Sequence, residues 1–216
     1  MPLSLSPVLA FFPAAALLSQ DCAVTQERVD ALLADLVPAI EQDLGVELAP
    51  LVHARLCGRD EVAAVVASEN EGIMRAQLPD EESARSQAQA FGRAMATSLL
   101  AKYAWSSGEL LVVAENFPVL SALIERPELC SDETLRAILL HELVHLDDHR
   151  RLKFDTVLAS LRSTDRLQAY NAVIEGHAQH VARRICAARG WSGGFDAYTA
   201  SIGALMKACG FSVVPQ

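Results

Sequence analysis

Residues 141–145 read H-E-L-V-H inside an apolar stretch, and this pattern constrains the fold more than any other part of the chain. On a helix, His141 and His145 lie one turn apart on the same face, so both imidazoles can bind one metal ion. Glu142 then lies within reach of a water molecule at that metal and can accept its proton. The motif therefore predicts a metal site on a helix, with His141 and His145 as ligands and Glu142 as a general base.

The residues on either side of the motif favour a helix of about five turns. Ser131 or Asp132 can cap its N-terminus, and Asp132 and Glu133 place negative charge in its first turn. His149 and the two arginines that follow it place positive charge at the other end. The motif is therefore expected in the middle of the helix, where its geometry is regular.

Two helical histidines bind a metal ion weakly, so the pattern calls for a third protein ligand. His149 cannot serve, because the three histidines would span about 12 Å along a straight helix at 1.5 Å per residue. The remaining candidates lie on later elements and are Asp165, Glu175, His177 and His180.

Glu175 is the favoured third ligand because small residues follow it, Gly176 and Ala178. A helix that carries a metal ligand must approach the first helix closely, and small side chains permit this. Gln179 shares a face with Glu175 and is expected to hydrogen-bond a ligand imidazole. We therefore predict a Zn²⁺ site formed by His141, His145 and Glu175.

The composition fits one folded domain. The chain has 216 residues, 51% of them hydrophobic, which suffices for a single core. The net charge is -9 and no basic block occurs, so no nucleic-acid partner is expected. No run of 18 apolar residues occurs, so no transmembrane span is expected in the mature chain. We predict a single domain over residues 21–216, with a helical N-terminal annex at 24–100 and the site-bearing part at about 103–190.

Residues 1–20 are strongly apolar and resemble the hydrophobic region of a secretory signal, although no lysine or arginine precedes Arg28. The five cysteines are compatible with two disulfides and one free thiol in an oxidising compartment, or with five thiols in a reducing one. We therefore predict a secreted or periplasmic protein, with a cytoplasmic location as the alternative.

The pattern of apolar residues predicts an α+β fold that is mostly helical, with a small antiparallel sheet or hairpin beside two metal-binding helices. A Ser-Ser-Gly turn at 106–108 separates the two strands of the predicted hairpin, at 103–105 and 109–115. A further strand is predicted at 51–57. Helices are predicted at 25–44, 61–69, 81–102, about 131–149, 166–189 and 195–209.

Together these residues resemble the gluzincin metallopeptidases, in which H-E-x-x-H on one helix is completed by a glutamate on a following helix. They are more closely similar to small bacterial zincins whose second motif reads E-G-x-A, matched by E-G-H-A at residues 175–178. The resemblance covers roughly residues 103–186. It implies a zinc-dependent peptidase acting on a peptide or protein substrate, with zinc bound by His141, His145 and Glu175, and Glu142 as general base. It also implies that the strand at 109–115 is the edge strand that aligns the substrate.

Two residues depart from the pattern of that family. Asp147 stands where such proteins usually carry an apolar residue, and Gln179 stands where several gluzincin families have an aspartate. Asp165 as third ligand would give an aspzincin-like site, but the downstream signature of that group is missing. The two departures bear on the efficiency of the site rather than on its existence.

A peptidase of this kind needs a side chain that stabilises the oxyanion, and the candidates are Tyr170, His177, His180 and Tyr198. The rival interpretation is an exported helical binding or scaffold protein with a structural or vestigial metal site. Glu142 argues against it, because a structural site needs no general base. The fourth coordination position distinguishes the two, since it is open in an enzyme and closed in a structural site.

Overall fold

The computed structural model describes residues 22–208, where helices surround a small sheet. The helices are α1 (Gln26–Leu44), α2 (Arg59–Gln77), α3 (Glu81–Ala96), α4 (Asn116–Leu123), α5 (Asp132–Leu152), α6 (Phe154–Ser160), α7 (Thr164–Ala188) and α8 (Ser192–Ala208). The strands are β1 (His53–Leu56), β2 (Ala101–Ala104) and β3 (Glu109–Val112). The predicted α+β, mostly helical class is confirmed. The predicted leader, residues 1–20, and Cys209 lie outside the described residues.

The sheet has the order β1-β3-β2. β2 and β3 form the predicted antiparallel hairpin, with Tyr103 opposite Leu110, whereas β1 runs parallel to β3, with Arg55 opposite Leu111. The sheet is therefore mixed, and its central strand is β3. The prediction that residues 109–115 form the edge strand is wrong, because β1 covers the side of β3 that the hairpin leaves free. The edge strand beside α5 is β2.

The helices α2 and α3 form a pair inserted between β1 and β2. They pack closely at Gly92, where a Cβ atom would lie 2.3 Å from the carbonyl oxygen of Ala63. The sequence pattern predicts a shorter α2, ending near residue 69, and a longer α3, reaching residue 102. The chain instead leaves the helix after Ala96 and enters β2, because residues 101–104 pair with β3.

The central helix is α5, which packs against α1, α7, α8 and β2. Its N-terminus is capped by Ser131, whose hydroxyl oxygen accepts a hydrogen bond from the Thr134 amide at 3.2 Å. The helix ends at Leu152 and is followed by Lys153, which adopts a left-handed conformation with φ 48°. Gly194 lies near the N-terminus of α8, and a Cβ atom on it would lie 2.2 Å from the carbonyl oxygen of Glu133, near the N-terminus of α5. The start of α8 therefore lies directly on the start of α5.

Two segments predicted as connections contain short helices. α4 lies in the predicted loop at 116–129 and buries Phe117 and Leu120, and α6 lies in the predicted connection at 152–165 and buries Phe154 and Leu158. Each is too short for its apolar spacing to stand out, and packing against the core stabilises it. Within residues 22–208, no helix is both long enough and apolar enough to cross a membrane.

A disulfide between Cys22 and Cys130 joins the segment before α1 to the segment before α5. Nearby, the Arg28 guanidinium lies 2.5 Å from the Asp132 carboxylate and donates a hydrogen bond to the Cys130 carbonyl oxygen. Among the described cysteines, Cys57 and Cys186 carry free thiols. Only one of the two disulfides that the cysteine count allows is therefore formed within the described residues.

Removing the disulfide is expected to lower the free energy of unfolding by about 3 to 5 kcal/mol, because it closes a loop with a sequence separation of 108. The test compares Cys22→Ser/Cys130→Ser with the wild type in denaturant titrations, with and without a reducing agent. The reductant should lower the stability of the wild type alone. The control is Cys57→Ser, whose thiol is unpaired. A double variant as stable as the oxidised wild type would contradict the expectation.

Candidate metal centre

Two helices bring His141, His145 and Glu175 together as a single group of potential metal ligands. The Nε2 atoms of His141 and His145 are 3.0 Å apart. The Glu175 carboxylate, carried by α7, lies 3.2 Å from His141 Nε2 and 3.5 Å from His145 Nε2. Both histidines are buried, whereas Glu175 is 61% exposed. The group therefore lies at the floor of an accessible cleft.

The spacing of the three ligand atoms fits a tetrahedral metal ion. Ligand atoms held at about 2.0 to 2.2 Å from a tetrahedral centre lie about 3.3 to 3.6 Å from each other. The three measured separations, 3.0, 3.2 and 3.5 Å, lie within or close to that range. Two imidazoles and one carboxylate then leave a fourth position, which the exposure of Glu175 leaves open to the cleft. The residues therefore fit a metal ion.

The electrostatics of the group also favour a cation. Burial alone would lower the pKa of His145, but the carboxylates of Glu175, Glu142 and Asp148 outweigh burial and raise this pKa. Desolvation alone would raise the pKa of Glu175, but its contacts with His141 and His145 hold that pKa well below its ordinary value. A carboxylate that stays ionised beside two imidazoles attracts positive charge.

Glu142 lies beside the ligand group and is held by the edge strand. Its Oε2 atom accepts a hydrogen bond of 2.6 Å from the backbone amide of Tyr103 on β2. The Tyr103 hydroxyl lies 2.9 Å from Nδ1 of His149, and Nε2 of His149 lies 3.0 Å from the Asp155 carboxylate. This chain of contacts fixes β2 against α5 and so fixes the position of the Glu142 carboxylate.

The aspartates that follow the second histidine are both buried and both paired. Asp147 lies 2.8 Å from Arg151, and Asp148 lies 2.8 Å from Nδ1 of His177. Burial raises the pKa of Asp147, and the Arg151 charge opposes this shift. The acidic residue at 147, unusual for the resembled family, is therefore accommodated by an ion pair within its own helix.

The other candidate ligands do not join the group. His177 binds Asp148, and Asp165 and His180 are exposed on α7. Among the described residues, the group that could hold a metal ion consists of His141, His145 and Glu175. These are the three positions predicted from the sequence.

Two predicted details of α7 are wrong. A Cβ atom on Gly176 would meet no atom within 4 Å, and Gly176 is exposed, so it does not permit a close approach of the helices. The small residue that packs inward is Ala178, which is fully buried. Gln179 does not bind a ligand imidazole; its amide donates a hydrogen bond of 3.3 Å to the Tyr198 hydroxyl oxygen.

Tyr198 is the member of the four oxyanion candidates that lines the cleft around the ligands. It lies on α8, is 7% exposed, and its ring centroid is 6.0 Å from that of His141. Burial, and then the charges of Glu142 and Glu175, raise the pKa of Tyr198. The hydroxyl therefore keeps its proton at neutral pH and can donate a hydrogen bond into the cleft.

Sequence reasoning missed the contact of Tyr103 with Glu142 and did not select Tyr198. No local pattern could have revealed the first, because it involves a backbone amide on a separate element. The second shows only a weak signal, a tyrosine on the apolar face of the amphipathic α8.

No family model, curated protein or solved structure matches this chain.

Proposed function

We propose that the protein is a zinc-dependent peptidase that hydrolyses peptide bonds, with His141, His145 and Glu175 as zinc ligands and Glu142 as general base. The observation that carries the proposal is the compact triangle of three ligand atoms with the Glu142 carboxylate beside it. Because the Glu142 carboxylate is not one of the metal ligands, it can accept and release a proton.

The donor set favours zinc over magnesium and calcium. Two imidazoles with one carboxylate is a common set for catalytic zinc, whereas magnesium and calcium prefer oxygen ligands alone. When bound, zinc would lower the pKa of a water molecule and polarise the scissile carbonyl. A structural zinc site is closed by a fourth protein ligand, and the exposed side of Glu175 supports an open position instead.

Glu142 would accept a proton from the attacking water and deliver it to the leaving amine. The Tyr103 amide binds one oxygen of its carboxylate and so sets the direction of the other. The Glu142 side chain is partly exposed and lines the cleft, where a peptide can reach it.

The strand β2 is suited to align an extended peptide. The Leu100 carbonyl oxygen accepts a hydrogen bond from the Val113 amide, so alternate residues of β2 turn their backbone groups toward β3. Ala101 and Tyr103 turn theirs away from β3, and both residues line the cleft. The Tyr103 amide there binds Glu142 and its carbonyl oxygen accepts a hydrogen bond from Lys102, so Ala101 supplies the backbone groups left for a peptide. A peptide paired with this edge would cross the ligand group beside Glu142.

Tyr198 would stabilise the negative charge that develops on the carbonyl oxygen. The Gln179 amide donates to the phenol oxygen, so the hydroxyl proton is not used by that contact and remains available for the substrate. Its position close to His141 places this donor at the ligand group rather than at the far end of the cleft.

Replacing Tyr198 with phenylalanine is expected to lower kcat by about 100- to 1000-fold, because one donor to the oxyanion is lost. KM and zinc content should change little, since the hydroxyl is not a ligand. Steady-state kinetics on a fluorogenic peptide and metal analysis give both quantities. Tyr170→Phe is the matched control, because Tyr170 does not line the cleft. Equal losses in the two variants would show that Tyr198 has no specific role.

The test of the proposed function uses purified protein. We expect one zinc per chain by elemental analysis and cleavage of a quenched fluorescent peptide library. A chelator should remove both, and added zinc should restore cleavage. A wild-type protein that binds no metal and cleaves no peptide would refute the proposal.

We also propose a secreted or periplasmic location, with a cytoplasmic one as the alternative. The support is the Cys22–Cys130 disulfide, since such bonds persist in oxidising compartments. Mass spectrometry of exported material would give the first residue of the mature chain. If the leader is cleaved, that residue is expected to be 21 or 22 rather than 23, because cleavage after Cys22 would remove one half of the disulfide.

A further inference from the structure

The cleft around the ligand group has a volume of about 500 Å³ and extends well beyond the ligands. Beyond the ligands its walls are mainly apolar and come from three helices. The apolar residues are Val66 and Ile73 on α2, Phe91 and Met95 on α3, and Phe154 and Leu158 on α6. The polar side chains of Asn70 and Ser98 also line the cleft, and each donates a hydrogen bond to a backbone carbonyl oxygen of the protein. The pair α2–α3, inserted between β1 and β2, thus supplies much of this wall.

The charges in the cleft leave no group to recognise an acidic side chain. The one lysine among the described lining residues, Lys102, lies 2.8 Å from the fully buried carboxylate of Glu69 and over the ring of Trp105 at 4.2 Å. Its charge is therefore neutralised within the protein. The carboxylates that line the cleft, Glu142 and Glu175, belong to the metal group and its base.

The exposure of Phe91 indicates that a ligand covers this wall. Phe91 is a large apolar residue that stays 39% exposed although it lines the cleft, and Met95 one turn later is half-buried. Apolar side chains exposed in a concave site with a few polar groups at one end are typical of ligand pockets. A ligand that covers them would gain free energy from burial.

We propose that the α2–α3 wall selects peptide substrates that carry a large apolar side chain next to the scissile bond. This inference rests on the proposed peptidase function, because the ligand group fixes where that bond lies. Acidic side chains would be disfavoured, since they would lose hydration in an apolar pocket without gaining a partner.

The test measures binding rather than turnover. Two hydroxamates, those of phenylalanine and glycine, share the metal-binding group and differ only in the benzyl side chain. By calorimetry on zinc-loaded protein, the phenylalanine compound is expected to bind about 10- to 100-fold more tightly. In Phe91→Ala/Met95→Ala this preference should fall below about threefold, with the affinity for the glycine compound unchanged. The control is Leu123→Ala, because Leu123 is 40% exposed on α4 and does not line the cleft.

A third compound, the hydroxamate of aspartate, tests the rejection of acidic side chains. Equal affinity for the phenylalanine and glycine compounds, or tighter binding of the aspartate compound than of the phenylalanine compound, would overturn the proposal. A preference for the benzyl side chain without peptide cleavage would support the apolar pocket and refute the peptidase function. Peptide cleavage without that preference would support the peptidase function and refute the apolar pocket. If the protein binds no metal, the apolar dye ANS replaces the hydroxamates. Its binding should then fall in the double variant and not in Leu123→Ala, and equal binding by all three proteins would overturn the pocket.

Discussion

Replacing Glu142 with glutamine is expected to lower kcat by about 100- to 10,000-fold, while the protein keeps its zinc and its fold. The amide has the shape of the carboxylate, and its oxygen can still accept the hydrogen bond from the Tyr103 amide. The amide cannot accept a proton from water, however, so the proposed general base is lost. Kinetics on a sensitive peptide, elemental analysis and thermal unfolding measure activity, metal content and stability separately.

Glu133→Gln is the matched control for this variant. Glu133 is an exposed glutamate in the first turn of the same helix, about two turns before His141. It removes the same charge from α5 and should leave kcat unchanged. If Glu142→Gln kept activity within about tenfold of the wild type, the assignment of Glu142 as general base would be wrong.

Replacing Glu175 with glutamine is expected to weaken zinc binding by at least about 100-fold, more than the 10- to 100-fold typical of losing a group behind a ligand. The change removes the negative charge that lies between His141 and His145 but almost no volume, so the domain should remain folded. Competition against a chromogenic chelator gives the zinc affinity. Thermal unfolding with added zinc should show a smaller stabilisation than in the wild type, because the stabilisation by a ligand that binds the folded state grows with the logarithm of its affinity.

His177→Ala is the control for the ligand assignment. His177 lies on the same helix two residues from Glu175, but it binds Asp148 instead of facing the ligand group. We expect it to keep wild-type zinc affinity. A variant of His177 that lost zinc while Glu175→Gln kept it would exchange the two roles and refute the ligand set.

The sequence by itself determined the features that depend on contacts within one element. The apolar period and the charges at its ends predicted α5, and Ser131, one of the two predicted candidates, caps it. A spacing of four residues placed His141 and His145 together, because one helical turn brings such positions to the same face. The turn at 106–108 likewise predicted the β2–β3 hairpin. Glu175 was found because a metal site with two histidines calls for a third ligand on a later helix.

Only the tertiary structure decided what depends on contacts between distant elements. β1 pairs in parallel with β3 across the inserted α2 and α3, and this leaves β2, rather than β3, as the edge strand over the metal group. Gln179 meets Tyr198 rather than a histidine because α8 packs on α5 and fills that position. Strand order and helix docking follow from how the apolar faces of the whole chain are buried together, and no local spacing encodes them.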